Sequence, residues 1–132
     1  MGNLFGRLLL AISVILVVLT GCGSSASTGD QDPKNVKVEL STIPEQARSG
    51  EETNLQVTIT GLVDEKNTDV QFEIRHSDNS GLPDLIQEVE SKGKGKYTAP
   101  YVFKNAAKYD VYIHLYNQDI HITKKKPLVV ME

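Results

Sequence analysis

From Val36 onward the chain alternates apolar and polar side chains with a period of two, in short runs. Val36, Val38 and Leu40 alternate with Lys37 and Glu39. Leu55, Val57 and Ile59 alternate with Gln56, Thr58 and Thr60. Val70, Phe72 and Ile74 alternate with Gln71, Glu73 and Arg75. Tyr109, Val111, Ile113 and Leu115 alternate with Asp110, Tyr112, His114 and Tyr116. Successive side chains of a strand point to opposite faces, so each run predicts a strand with one buried face. The β-branched residues at 57–60 favour the same conformation. Pro44, Ser49-Gly50, Gly61, Asp64–Asp69 and Asp78–Pro83 are turn signals between the runs. Tyr97–Phe103, Ile120–Thr123 and Pro127–Met131 read as three further strands. About seven short strands with regular turns predict an all-β chain folded as an antiparallel β-sandwich over residues 36–132. One stretch is ambiguous. Leu82, Leu85, Ile86 and Val89 fall at helical spacing, yet a strand near Ile86–Glu90 that turns through Lys92–Gly95 into Tyr97 fits the rest better. The helix stays open as the alternative.

A different pattern fills the beginning of the chain. Leu8–Leu19 is apolar apart from Ser13, and Arg7 is the only charged side chain before Asp30. As a helix this run spans about 18 Å, short of a bilayer core about 30 Å thick. Its length and flanks predict a signal-peptide core. It ends in Leu19-Thr20-Gly21-Cys22, which resembles the bacterial lipobox. Such a signal needs a thiol at that position, and Cys22 is the only cysteine of the chain. The thiol is alkylated by a diacylglycerol and the leader is cut before it. Two or three acyl chains then anchor stably, where one is marginal. Myristoylation at Gly2 fails, because that motif wants Ser or Thr where Gly6 stands. The expected organisation is a leader over 1–21, a lipidated Cys22 with a flexible Ser/Gly/Asp-rich linker over 22–35, and the sandwich over 36–132. The expected location is the extracytoplasmic side of the cell membrane, held by the lipid.

Composition narrows the chemistry. The formal net charge is −3, so no basic field invites nucleic acid. One cysteine excludes an internal disulfide and a multi-cysteine metal cluster. The serines cluster in the linker and loops, and no glycine-rich loop joins a strand to a helix. No catalytic constellation stands out, and the chain reads as no enzyme. Gly93–Lys96 reads as a flexible basic turn. Lys124–Lys126 reads as a solvated turn that discourages edge pairing.

The histidines carry the remaining interest. His76 continues the inward phase of Val70, Phe72 and Ile74 and reads as a rim residue at a strand end. His114 and His121 flank a hairpin turn around Asn117–Asp119. If Tyr116 pairs with Asp119, His114 lies directly opposite His121; a four-residue loop makes them diagonal neighbours on the same face. Two neutral imidazoles so placed can bind a copper or zinc ion. Solvent-facing histidines that share no ion are the other reading.

The stretch from Gly95 to Val130, "GKYTAPYVFKNAAKYDVYIHLYNQDIHITKKKPLVV", resembles the YtkA-like/FixH-like domain of lipid-anchored and membrane-anchored bacterial proteins. The matching positions are Gly95 and Tyr97, Tyr109 running to His114, then His121; Val70–Ile74 also fits. Ala107 departs from the usual glycine, and Thr123-Lys124 replaces a Met-Pro pair, which removes a soft ligand. The resemblance implies an immunoglobulin-like fold and a role in copper handling or respiratory oxidase assembly. The expected function is therefore a lipid-anchored binding or accessory module outside the cytoplasm. The alternative is a structural or protein-interaction module at the cell surface with no metal role.

Overall fold

The period-two runs do become strands, and their apolar faces meet in one core. A computed structural model describes residues 31–117 and 120–132, so the leader and Cys22 lie outside the described residues. Eight strands follow one another: β1 Lys37–Ile43, β2 Glu52–Thr60, β3 Thr68–His76, β4 Asp84–Ile86, β5 Glu90–Gly93, β6 Lys96–Val102, β7 Lys108–Asn117 and β8 Ile120–Val129. They form two four-stranded antiparallel sheets, ordered β1-β2-β6-β5 and β4-β3-β7-β8. Between them lie Val57, Ile59, Phe72, Ile74, Val111 and Ile113, none more than 3% exposed. The all-β immunoglobulin-like sandwich expected from the sequence is the observed architecture.

An aromatic row closes one end of the core. Tyr101 packs edge-on against Phe103, Phe103 against Tyr109, and Tyr109 under His76. The Tyr109 hydroxyl donates back to the carbonyl of Asn105 at 2.9 Å, the tyrosine-corner device of immunoglobulin-like sandwiches. His76 thus sits at the rim, half-buried on a ring, in keeping with its phase along β3.

Three expectations need correction. The single strand expected near Ile86–Glu90 is two, Asp84–Ile86 and Glu90–Gly93, and the helix kept open as the alternative over Leu82–Val89 does not form. Asp84–Ile86 pairs with β3 in one sheet, and the chain then crosses to the other sheet as β5. Leu82 and Leu85 are 92% and 54% exposed, so the helical spacing does not mark a buried face. Likewise, Lys124–Lys126 is not a turn. It lies inside β8, which pairs with β7 without interruption and merges two expected strands. Lys124 and Lys126 occupy inward positions between Ile122 and Leu128, half-buried, with aliphatic stems over the core margin. Inward-pointing charge on an edge strand still guards that edge. Finally, the end of the expected linker is held to the domain. Gln31 Nε2 donates to Gly61 O at 3.0 Å, and its Oε1 accepts from Val63 N at 2.7 Å.

The segment after β1 covers the other end of β8. Ser49 N donates to Met131 O, and Met131 N to Ala47 O. The β5–β6 turn approaches β2 closely. Gly95 has φ +70°, and Ile59 N donates to its carbonyl at 2.7 Å.

Candidate functional site

The outer face of the β3-β7-β8 platform collects the chain's chemistry. Packing constrains only the inward residues of these strands, so the alternate positions are free to be polar. In register, Gln71, His114 and Thr123 form one cross-strand row, and Asp69, Tyr116 and His121 the next. The hairpin closes at Asn117–Ile120, and residues 118 and 119 between them lie outside the described residues. His114 therefore faces Thr123, and His121 faces Tyr116. The two histidines are diagonal neighbours on one face and not direct opposites; the diagonal comes from pairing through Asn117–Ile120, in place of either the Tyr116–Asp119 pairing or the four-residue loop considered from the sequence.

The diagonal brings their nitrogens together. His114 Nδ1 lies 3.2 Å from His121 Nε2, with Thr123 Oγ1 at 3.1 and 3.3 Å from the two. These three atoms form a nearly equilateral triangle at the surface. Tyr116 stacks on the His121 ring at 4.3 Å and 13°, which fixes that ring's plane.

Glu73 holds the other side of His114. Its Oε2 lies 3.0 Å from His114 Nε2, and it also pairs with Arg75, whose guanidinium lies 5.0 Å from the Tyr112 ring centre. A carboxylate only accepts, so Nε2 of His114 carries the proton and Nδ1 presents its lone pair. Partial burial pushes the Glu73 carboxyl up. The hydrogen bonds and charges of Arg75 and His114 outweigh that push and hold it below its ordinary value. Glu73 thus stays ionised and orients the imidazole, as carboxylates behind metal-bound histidines do.

The triangle can act as a chelate. Two zinc–nitrogen bonds of 2.0–2.1 Å at a tetrahedral angle put the nitrogens about 3.3 Å apart. A square-planar cis pair would need about 2.8 Å. The observed 3.2 Å fits the tetrahedral bite. Among the described residues, no cluster of three His, Cys, Asp or Glu stands ready for a metal. His76 lies on the core side of β3, and Met131 lies by Arg48 beyond the far end of β8. Sequence reasoning misses Glu73 and Thr123, because only the β3–β7 and β7–β8 registers bring them to His114.

A second feature lies beside this face. β4 covers only Phe72–Ile74 of β3, so Thr68–Gln71 has no strand on that side among the described residues. A cleft of about 290 Å³ opens there between Glu65–Thr68 and the β5–β6 turn.

The Filamin/ABP280 repeat family matches the chain over residues 30–125. The part of the YtkA-like/FixH-like resemblance that this match supports is its immunoglobulin-like β domain. A search of curated proteins finds no match. Among solved structures, an endo-β-1,4-mannanase from Thermotoga petrophila is 13% identical with a TM-score of 0.49, over 73% of this chain and 20% of that one. The chain thus spans about a fifth of the mannanase's length. A superoxide reductase (neelaredoxin) from Ignicoccus hospitalis is 12% identical with a TM-score of 0.45, over 73% of this chain and 80% of that one.

Proposed function

The chain belongs to the Filamin/ABP280 repeat family, and from that premise we propose that it is a binding module that takes a transition-metal ion on its outer sheet face. An immunoglobulin-like sandwich of this kind suits a structural or interaction role. His114 and His121 are the proposed ligands, with Glu73 fixing the tautomer of His114. The observation that carries the reading is the 3.2 Å separation of two imidazole nitrogens, one of them backed by a carboxylate. Copper is the ion that the YtkA-like/FixH-like resemblance suggests, and zinc is the ion that the tetrahedral bite suits. The module works by binding, not catalysis. A lipid on Cys22 would hold it to the outer side of the cell membrane, where an accessory protein meets membrane-bound partners.

Calorimetric titration of the wild type, His114→Ala and His121→Ala with Cu²⁺ and Zn²⁺ tests the metal. Saturable binding by the wild type and its loss in either variant is the expected result, because one imidazole chelates nothing. Equal, weak heats in all three remove the metal. The second reading, a protein-interaction module, would then stand. It is favoured by the uncovered Thr68–Gln71 edge and the cleft beside it, since an open sheet edge can accept an added strand.

A further inference from the structure

We propose that the ion taken by His114 and His121 is a zinc shared between two copies of this chain, each supplying its imidazole pair to one tetrahedral centre on a two-fold axis. The inference rests on the metal reading above and adds the partner.

The first argument is coordination. A nitrogen separation of 3.2 Å suits two corners of a tetrahedron. Tetrahedral zinc in proteins draws its ligands from cysteine, histidine and carboxylate side chains. Among the described residues, this spot offers two imidazoles and the neutral hydroxyl of Thr123. Glu73 faces the wrong nitrogen of His114 and is already bonded there and to Arg75. No described residue adds a third strong donor. The described residues of one copy thus leave two corners to be filled.

The second argument is shape and charge. The pair lies on the outward face of a sheet, beside the edge strand β8, with His121 and Thr123 exposed. Tyr116, stacked on His121, is 36% exposed and adds a flat apolar surface. Of the nearby carboxylates, Glu73 pairs with Arg75 and Asp110 lies 3.5 Å from Lys125, while Asp69, in the row of Tyr116 and His121, accepts only from Gln71 among the described residues. The positive charge of a shared zinc would offset the two Asp69 carboxylates brought toward each other. A two-fold contact brings the same patch of each copy together, and an axis through the ion brings the second His114–His121 pair to the two open corners. When zinc binds, the hydrogen bond between the two imidazoles opens. The proton on His121 Nε2 moves to Nδ1, so both rings bind as neutral ligands.

The test is zinc titration of the full chain in detergent, with micelles in excess over protein. Bound zinc is counted against protein, and X-ray absorption counts imidazoles per zinc. The expected result is about one zinc per two chains with about four imidazoles on each. One zinc per chain with about two imidazoles, the remainder being water, overturns the sharing and leaves the metal reading intact. No saturable zinc overturns both. His121→Ala should abolish binding with an unchanged far-ultraviolet circular dichroism spectrum; because the wild-type stoichiometry decides the question alone, a misfolded variant does not obscure it.

Discussion

Replacing Gly95 with alanine should destabilise the sandwich far more than the same change at Gly93, two residues earlier in the same turn. Both glycines have positive φ, +77° at Gly93 and +70° at Gly95, where a side chain costs about 1–2 kcal/mol. At Gly93 nothing lies within 4 Å of the added carbon, so that cost is the whole effect. At Gly95 the added carbon would sit 2.1 Å from the carbonyl oxygen of Ile59. Real contacts of this kind begin above 3 Å, so the turn must withdraw from β2 by about an ångström. That movement strains the hydrogen bond from Ile59 N to Gly95 O, a bond of net worth about 0.5–1.5 kcal/mol. The sum is about 1.5–3.5 kcal/mol for Gly95→Ala against about 1–2 for Gly93→Ala. At about 4–8 °C per kcal/mol for a domain of this size, the melting points of the two variants should differ by about 2–12 °C. Urea unfolding of the chain from Gln31, which contains every described core residue, reads the difference in midpoint at unchanged slope. If the two variants fall within about 0.5 kcal/mol of each other, the turn relaxes freely and the close approach constrains nothing.

Two further outcomes are expected. Cys22→Ala should abolish incorporation of a fatty-acid analogue and release the chain from membranes; continued labelling refutes the lipobox reading. Glu73 has a folded value below the ordinary glutamate value of 4.5, so its contribution is present above that pH and is lost as pH falls through the folded value. Wild type should therefore exceed Glu73→Gln in stability near neutrality, with the gap closing below 4.5, and a gap independent of pH would mean that the Arg75 and His114 contacts do not hold the carboxylate.

Whether a feature is legible in the residues depends on how local it is. The phases of β2, β3 and β7 are legible because one wet face and one dry face write a period of two directly into the chain. The Leu82–Val89 stretch is not, since Leu82 and Leu85 are apolar yet exposed, and spacing alone carries no burial. β8 reads as two strands because Lys124 and Lys126 hold inward positions, which long aliphatic stems at an edge can occupy. The shared face of His114 and His121 survives any even hairpin register, so it is legible. Which residues stand opposite is not, because that depends on the closure of the turn at Asn117–Ile120. Glu73 stands 41 residues from His114, and no local pattern reports that register.

Glu73 bears on the proposed metal reading and on its rival. A sheet face that only has to be wet gains nothing from a carboxylate with 13% of its side chain exposed, held between a guanidinium and an imidazole that is itself only 15% exposed. Partial burial disfavours its charge, and the contacts of Arg75 and His114 together offset that cost. The added bond to His114 does one specific thing: it places the proton on Nε2 and turns the lone pair of Nδ1 toward His121. The proposed metal site would use that orientation, whereas protein binding through the open β3 edge would not depend on it. The same bond would make His114 a better donor, so if the proposed site takes zinc, Glu73→Gln should weaken that binding in a calorimetric titration while leaving both histidines in place, and an unchanged affinity would refute the role given to Glu73.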